Sequence, residues 1–189
     1  MDCAFSPDGR LVVSASADET LRVYEAATGE CLQVLAGHTG TVNTTMFTPD
    51  GRYILSGSQD KSLQLWETST GLRVRNYPGH SREVEVCDIS ADGKWMVSGS
   101  WDATAMVWDL ASGEPRLTFK KGGYMRACAI SPDSRLVATG SDFRVTIWDF
   151  PSGQEIHELR GHDKDISYCA FSPDGSLLLS ASWDDTLRL

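Results

Sequence analysis

Between residues 41 and 77, apolar and β-branched runs alternate with short polar stretches rich in Pro, Asp, Gly and Ser. Thr41 to Thr48 reads as a strand. Pro49-Asp50-Gly51 then reads as a turn, because Pro pre-sets φ and Gly supplies a positive φ. Tyr53 to Gly57 predicts a second strand, Gln59-Asp60-Lys61 a turn, Ser62 to Trp66 a third strand, Ser69-Thr70-Gly71 a turn and Leu72 to Tyr77 a fourth strand. Turn signals arrive too often for a stable helix, so the pattern predicts four short antiparallel strands joined by tight turns.

The same pattern recurs along the whole chain. Phe5-Ser-Pro-Asp-Gly9 returns as Phe47-Thr-Pro-Asp-Gly51, Ile89-Ser-Ala-Asp-Gly93, Ile130-Ser-Pro-Asp-Ser134 and Phe171-Ser-Pro-Asp-Gly175, in steps of 42, 42, 41 and 41 residues. A fixed period of this size marks a repeat architecture, in which each copy is too small to be stable alone and must stack on its neighbours. The expected fold class is all-β. The repeats run over about 1–36, 37–78, 79–119, 120–160 and 161–189, giving four four-stranded units and a partial fifth. No linker or charge run interrupts the period, so residues 1–189 read as one array.

Charge narrows the partners. The net charge is −9, and the 17 Lys and Arg are scattered, with Lys120-Lys121 the longest basic feature. Binding to nucleic acid needs clustered basic residues, so none is expected; an acidic balance suits a basic protein or peptide. No apolar run reaches the ~18 residues of a membrane span. Met1 to Phe5 lacks the basic and apolar regions of a secretory signal. The expected location is cytoplasmic or nuclear, not secreted. Four of the five cysteines, Cys3, Cys87, Cys128 and Cys169, stand two residues before the Phe or Ile of a copy, where they read as small buried apolar side chains.

One recurring set invites a catalytic reading. His38, Ser56, Asp60 and Trp66 are followed at like spacing by His80, Ser98, Asp102 and Trp108, and His162, Ser180 and Asp184 begin a further set. A Ser, His and Asp set suggests a hydrolase. A nucleophile, however, occurs once per site, and this trio recurs per copy with no Gly-x-Ser-x-Gly elbow. No catalytic residue is expected, and no phosphate loop or zinc spacing calls for a cofactor or a metal. His157, in the strand-like Glu155 to Leu159, reads as a surface residue.

Gly37-His38 with Trp66-Glu67, Gly79-His80 with Trp108-Asp109, Trp148-Asp149 and Gly161-His162 resemble the WD-repeat β-propeller family, and the resemblance covers the whole chain. It implies that the His, Ser, Asp and Trp sets are structural hydrogen-bond networks within the blades. The fourth copy departs from the pattern: Lys121 stands where His is expected, although Thr139, Asp142 and Trp148 are present. The first copy has Tyr24 in the Trp slot. The resemblance also implies a partner-binding face on the side of the Gly-His loops. Its slots here are Thr41, Asn43 and Gln59; Glu83, Glu85 and Trp101; Tyr124, Arg126 and Ser141; Asp165, Ser167 and Trp183; and Ala17. Of these, Glu83, Glu85, Trp101, Tyr124, Arg126, Asp165 and Trp183 carry the aromatic and charged chemistry of binding hot spots.

Relatives of this kind usually close a ring of about seven blades, so a fragment of a larger propeller is expected. A closed ring of five, or self-association through incomplete end blades, are the alternatives. The function expected is a non-catalytic scaffold for protein or peptide partners. The alternative is a regulatory or targeting module of a multi-subunit enzyme complex, for example a substrate-recruiting subunit.

Overall fold

The computed structural model describes residues 1–189 and contains nineteen β-strands and no helix. The chain divides into two units, Met1–Glu85 and Val86–Leu189.

The first unit holds two four-stranded sheets. One is β1 (Cys3–Phe5), β2 (Leu11–Ala15), β3 (Thr20–Glu25) and β4 (Cys31–Ala36); the other is β5 (Val42–Phe47), β6 (Tyr53–Ser58), β7 (Ser62–Glu67) and β8 (Arg73–Pro78). Strands neighbour in chain order and pair antiparallel, as short turns require. The four strands expected between residues 41 and 77 therefore stand within a residue or so of their places. Val13, Leu21, Val23, Leu35, Val42, Ile54 and Trp66 form the core of this unit. Gly57 has no side chain for a packing reason: a Cβ there would lie 2.7 Å from Cγ1 of Val84.

The second unit holds three sheets. The first is β9 (Val84–Ile89, whose opening two residues belong to the first unit), β10 (Trp95–Ser100), β11 (Thr104–Asp109) and β12 (Pro115–Lys120). The next is β13 (Met125–Ile130), β14 (Leu136–Ser141), β15 (Arg144–Asp149) and β16 (Glu155–Arg160). The last has three strands, β17 (Ile166–Phe171), β18 (Leu178–Ser182) and β19 (Leu187–Arg188). Four four-stranded sheets and a partial fifth are thus what the period predicted. Val97, Val107, Phe119, Met125, Val137 and Trp148 build one core, and Ala127, Ala138, Val145, Ile166 and Cys169 another. Cys87, Cys128 and Cys169 are buried, as their apolar slot predicts, whereas Cys3 is exposed on β1.

The turn between the first two strands of each sheet follows one hydrogen-bonding plan. Thr48 Oγ1 donates to Asp50 Oδ1 at 2.6 Å, and Tyr53 N donates back to Thr48 Oγ1 at 3.0 Å. Gly51 takes the left-handed conformation at φ 70°. Ser131, Asp133 and Leu136 repeat the bonding, but Ser134 fills the glycine position at φ 56°.

Candidate functional site

In the β5–β8 sheet, Nδ1 of His38 lies 2.7 Å from Oδ2 of Asp60, and Nε2 lies 2.8 Å from Oγ of Ser56. Trp66 Nε1 donates to the same Oγ at 2.9 Å. A carboxylate only accepts, so Nδ1 donates to Asp60, while Nε2 and the Ser56 hydroxyl are paired with each other. That is the bonding order of a hydrolase trio, yet Ser56 is fully buried under the Trp66 indole and no substrate can reach its oxygen.

The β17–β19 sheet repeats the arrangement, with His162 Nδ1 2.8 Å from Asp184 Oδ2 and Nε2 2.9 Å from Ser180 Oγ. In the β9–β12 sheet, Trp108 Nε1 donates to Ser98 Oγ at 2.9 Å and Thr104 N donates to Asp102 at 2.9 Å; His80 is buried. In the β13–β16 sheet, Trp148 Nε1 donates to Thr139 Oγ1 at 2.8 Å. Lys121 turns elsewhere: Nζ pairs with Glu155 at 2.8 Å and Glu158 at 3.2 Å, and sits 5.9 Å from the Trp148 ring centroid. Asp142, at φ 48°, lies against Gly123, where even a Cβ would meet its carboxylate.

The carboxylates of the two histidine networks titrate low. Burial pushes Asp60 up, but His38, Ser62 and the Thr39 amide together hold it well below the usual carboxylate range. The Thr186 hydroxyl leads the same effect at Asp184, where partial burial opposes it and His162 adds to it.

On the loop face, a bulge places the second slot of three of the sheets. The register of the first strand shifts between Val42 and Thr44, between Met125 and Ala127, and between Ile166 and Tyr168. Asn43, Arg126 and Ser167 are the extra residues, and a bulge re-aims the side chain it carries. Asn43 Nδ2 donates to Val84 O at 2.8 Å.

In the second unit these slots converge. Trp101, in the turn between β10 and β11, stacks on Tyr124 with ring centroids 5.0 Å apart and planes 16° from parallel. The Arg126 guanidinium carbon lies 5.3 Å from the Trp101 centroid, 5.5 Å from Tyr124 and 4.8 Å from Trp183. Arg126 Nε is 3.4 Å from Asp165 Oδ2. Trp183 stays 53% exposed and Tyr124 39%. Of the candidate face residues, Trp101, Tyr124, Arg126, Asp165 and Trp183 therefore form one cluster. Glu83 and Glu85 belong to the first unit, Glu83 facing Arg82 at 3.6 Å. Ser141 is buried, and Ala17 and Ser167 are exposed.

Asp88 was not among the candidates. Its Oδ1 accepts from its neighbour Ile89 N at 2.9 Å, and its Oδ2 accepts from Ile130 N at 2.8 Å, so the carboxylate ties β9 to β13. Burial pushes its pKa up to about 6 against these bonds. Burial likewise raises the thiols of Cys128 and Cys169, with Asp88 adding to both. The signal was present in the chain: the slot reads Ala4, Met46, Ala129 and Ala170 in the other copies, so Asp88 is a charge among apolar residues. No three His, Cys, Asp or Glu side chains come together as a metal would need. No helix is long and apolar enough to cross a membrane.

The five sheets, their Gly-His loops and Trp-centred networks define a WD-repeat β-propeller chain. The profile of the IFT122 first beta-propeller matches residues 1–189, and the chain belongs to that family. It is similar to the Dictyostelium discoideum serine-threonine kinase receptor-associated protein, 42% identical over 66 residues, which are 34% of this chain and 22% of that protein. The human protein of the same name is 38% identical over 77 residues, 40% of this chain and 22% of its own. The Neurospora crassa periodic tryptophan protein 2 homolog is 43% identical over 63 residues, 32% of this chain and 7% of that protein. The chain thus spans less than a quarter of the length of these curated relatives.

Proposed function

We infer that this chain is a non-catalytic scaffold that holds protein or peptide partners on the face carrying its Gly-His loops. The observation that carries this reading is the cluster of Trp101, Tyr124, Arg126 and Trp183, in which aromatic rings and a guanidinium gather at the surface without a nucleophile among them. Aromatic and Arg side chains dominate binding energy at protein interfaces. The buried Ser56 and Ser180 support the same reading, since their His and Asp partners serve the fold rather than a substrate. On this reading residues 1–189 act as one array and the His, Ser, Asp and Trp sets are its structural networks.

The second reading is a regulatory or targeting module of an enzyme complex. It draws on the relative whose name describes association with a serine-threonine kinase receptor. Both readings share the face, and one experiment tests it. Partners crosslinked to the chain in cells are compared between wild type, Trp101→Ala, Trp183→Ala and Glu85→Lys, with Val74→Ala on exposed β8 as the control. Partners are expected to fall away with the face variants and to stay with the control. If every crosslinked partner survives all three face variants, the face assignment fails.

A further inference from the structure

We propose that the Arg126 cluster recognises a carboxylate: the Asp or Glu side chain of a partner peptide, with an apolar neighbour lying on Trp183. The proposal rests on the scaffold reading and names the partner's chemistry at that same face.

The cage already contains its cation. Three rings surround the Arg126 guanidinium at 4.8 to 5.5 Å, a distance at which each ring face attracts positive charge. A partner Lys or Arg would have to displace Arg126 or sit beside it against like-charge repulsion. The basic partner suggested by the net charge is therefore not what the local geometry favours.

The two terminal nitrogens of the guanidinium are held in reserve, whereas Nε is closed off from any partner. Arg126 Nε is buried and has no hydrogen-bond partner in the chain, because Asp165 at 3.4 Å lies within ion-pair reach but off the hydrogen-bond line. No other hydrogen bond from the chain engages the side chain, and its two terminal nitrogens reach the surface. The edge formed by those two terminal nitrogens is the part of the side chain that a partner can reach. That edge matches a carboxylate in a two-point fork.

The cluster is also held in place before a partner arrives. Arg126 sits at a bulge in β13, and its side chain is only 16% exposed. Trp183 N donates to Asp165 O at 3.0 Å, which ties the turn between β18 and β19 to the loop before β17. A side chain already ordered loses less freedom on binding. Asp165 keeps the pair near neutrality, which suits one carboxylate better than a dianionic phosphate. The exposed Trp183 and Tyr124 faces offer apolar surface beside the charge.

The test uses the 189-residue chain and a random peptide library displayed on phage, counter-selected against Trp183→Ala. Enrichment of Asp or Glu beside an apolar residue is expected. One selected peptide is then titrated against variants. Replacing its acid by the amide, or Arg126→Ala in the protein, should weaken binding at least about tenfold, the scale of a charge-assisted hydrogen bond. Arg126→Lys, which keeps the charge but loses the fork, should weaken it less than Arg126→Ala does. Asp165→Asn should tighten binding, because it removes the competing carboxylate.

Enrichment of Lys or Arg, with binding improved by Arg126→Ala, would overturn the proposal in favour of a cation cage. Absence of acidic enrichment would overturn it as well, as would a synthetic phosphoserine peptide outbinding its glutamate twin. In each case the scaffold reading survives if crosslinked partners still depend on Trp101 and Trp183. If those partners ignore both residues, the face itself is at fault.

Discussion

Nδ1 of His38 stands 2.7 Å from Oδ2 of Asp60, and this contact ties the loop before β5 to the turn between β6 and β7. The His38 side chain is fully buried, so removing its partner strands a polar group without water. Asp60→Ala should cost about 2–4 kcal/mol, the cost of orphaning buried donors in a charge-assisted set. Thermal unfolding of the variant checks this, and Ser56→Ala, which orphans both His38 and Trp66, should fall in the same range.

Acid should weaken the same contacts. Asp60 and Asp184 have depressed pKa values in the fold, so each contributes stability that is present above the unfolded value near 3.8 and lost as pH falls below it. Urea midpoints measured from pH 5 to pH 2 should drop. Asp60→Asn should flatten part of that drop.

Asp88 should act with the opposite sign. Its pKa rises from 3.8 to about 6, so the folded state binds this proton more tightly than the unfolded chain does. Its effect is nil below about pH 4, turns unfavourable as pH climbs to about 6, and is constant above that. The shift corresponds to about 1–3 kcal/mol, allowing for partial screening at the half-buried carboxylate. Asp88→Asn should remove the slope between pH 4 and 7. A slope unchanged by the substitution would assign it to another group.

Ser134 occupies the left-handed position that Gly9, Gly51, Gly93 and Gly175 fill in the sister turns. A side chain in that region costs about 1 kcal/mol. Ser134→Gly should raise the stability of the β13–β14 turn by up to about 0.5 kcal/mol, net of the greater freedom glycine gains when unfolded. The gain should appear as slower amide exchange in β13 and β14.

Gly140 has the opposite constraint. Its added Cβ would lie 2.6 Å from Cγ2 of Ile166, which real side chains do not tolerate. Gly140→Ala should destabilise by about 1–3 kcal/mol through overpacking. The double variant Gly140→Ala, Ile166→Ala, which removes the clashing Cγ2, should lose less stability than the two single losses added together.

The strands and turns were legible because their signals are local: alternation of period two, Pro-Asp-Gly turns and a repeat in register. The spacing of His38, Ser56, Asp60 and Trp66 was equally legible, since hairpin turns fix their separation. What escaped depends on contacts between residues far apart in the chain. Ile130 N reaches Asp88 from 42 residues away, and Glu158 reaches Lys121 from 37. Nothing in the slot of Lys121 says which carboxylates it will meet. The face residues could be assigned to a surface, but not to one another: that Arg126 would settle among Trp101, Tyr124 and Trp183 depends on how a bulge turns one side chain.

That bulge has an evolutionary corollary. Asn43, Arg126 and Ser167 differ in size, charge and hydrogen bonding, yet each stands at the same register shift in a strand whose flanking pairs are kept. The extra residue carries no rung of the ladder, so change at this position spares the strand pairing while altering what the surface displays. Selection can therefore retune recognition one sheet at a time, and an engineer could do the same.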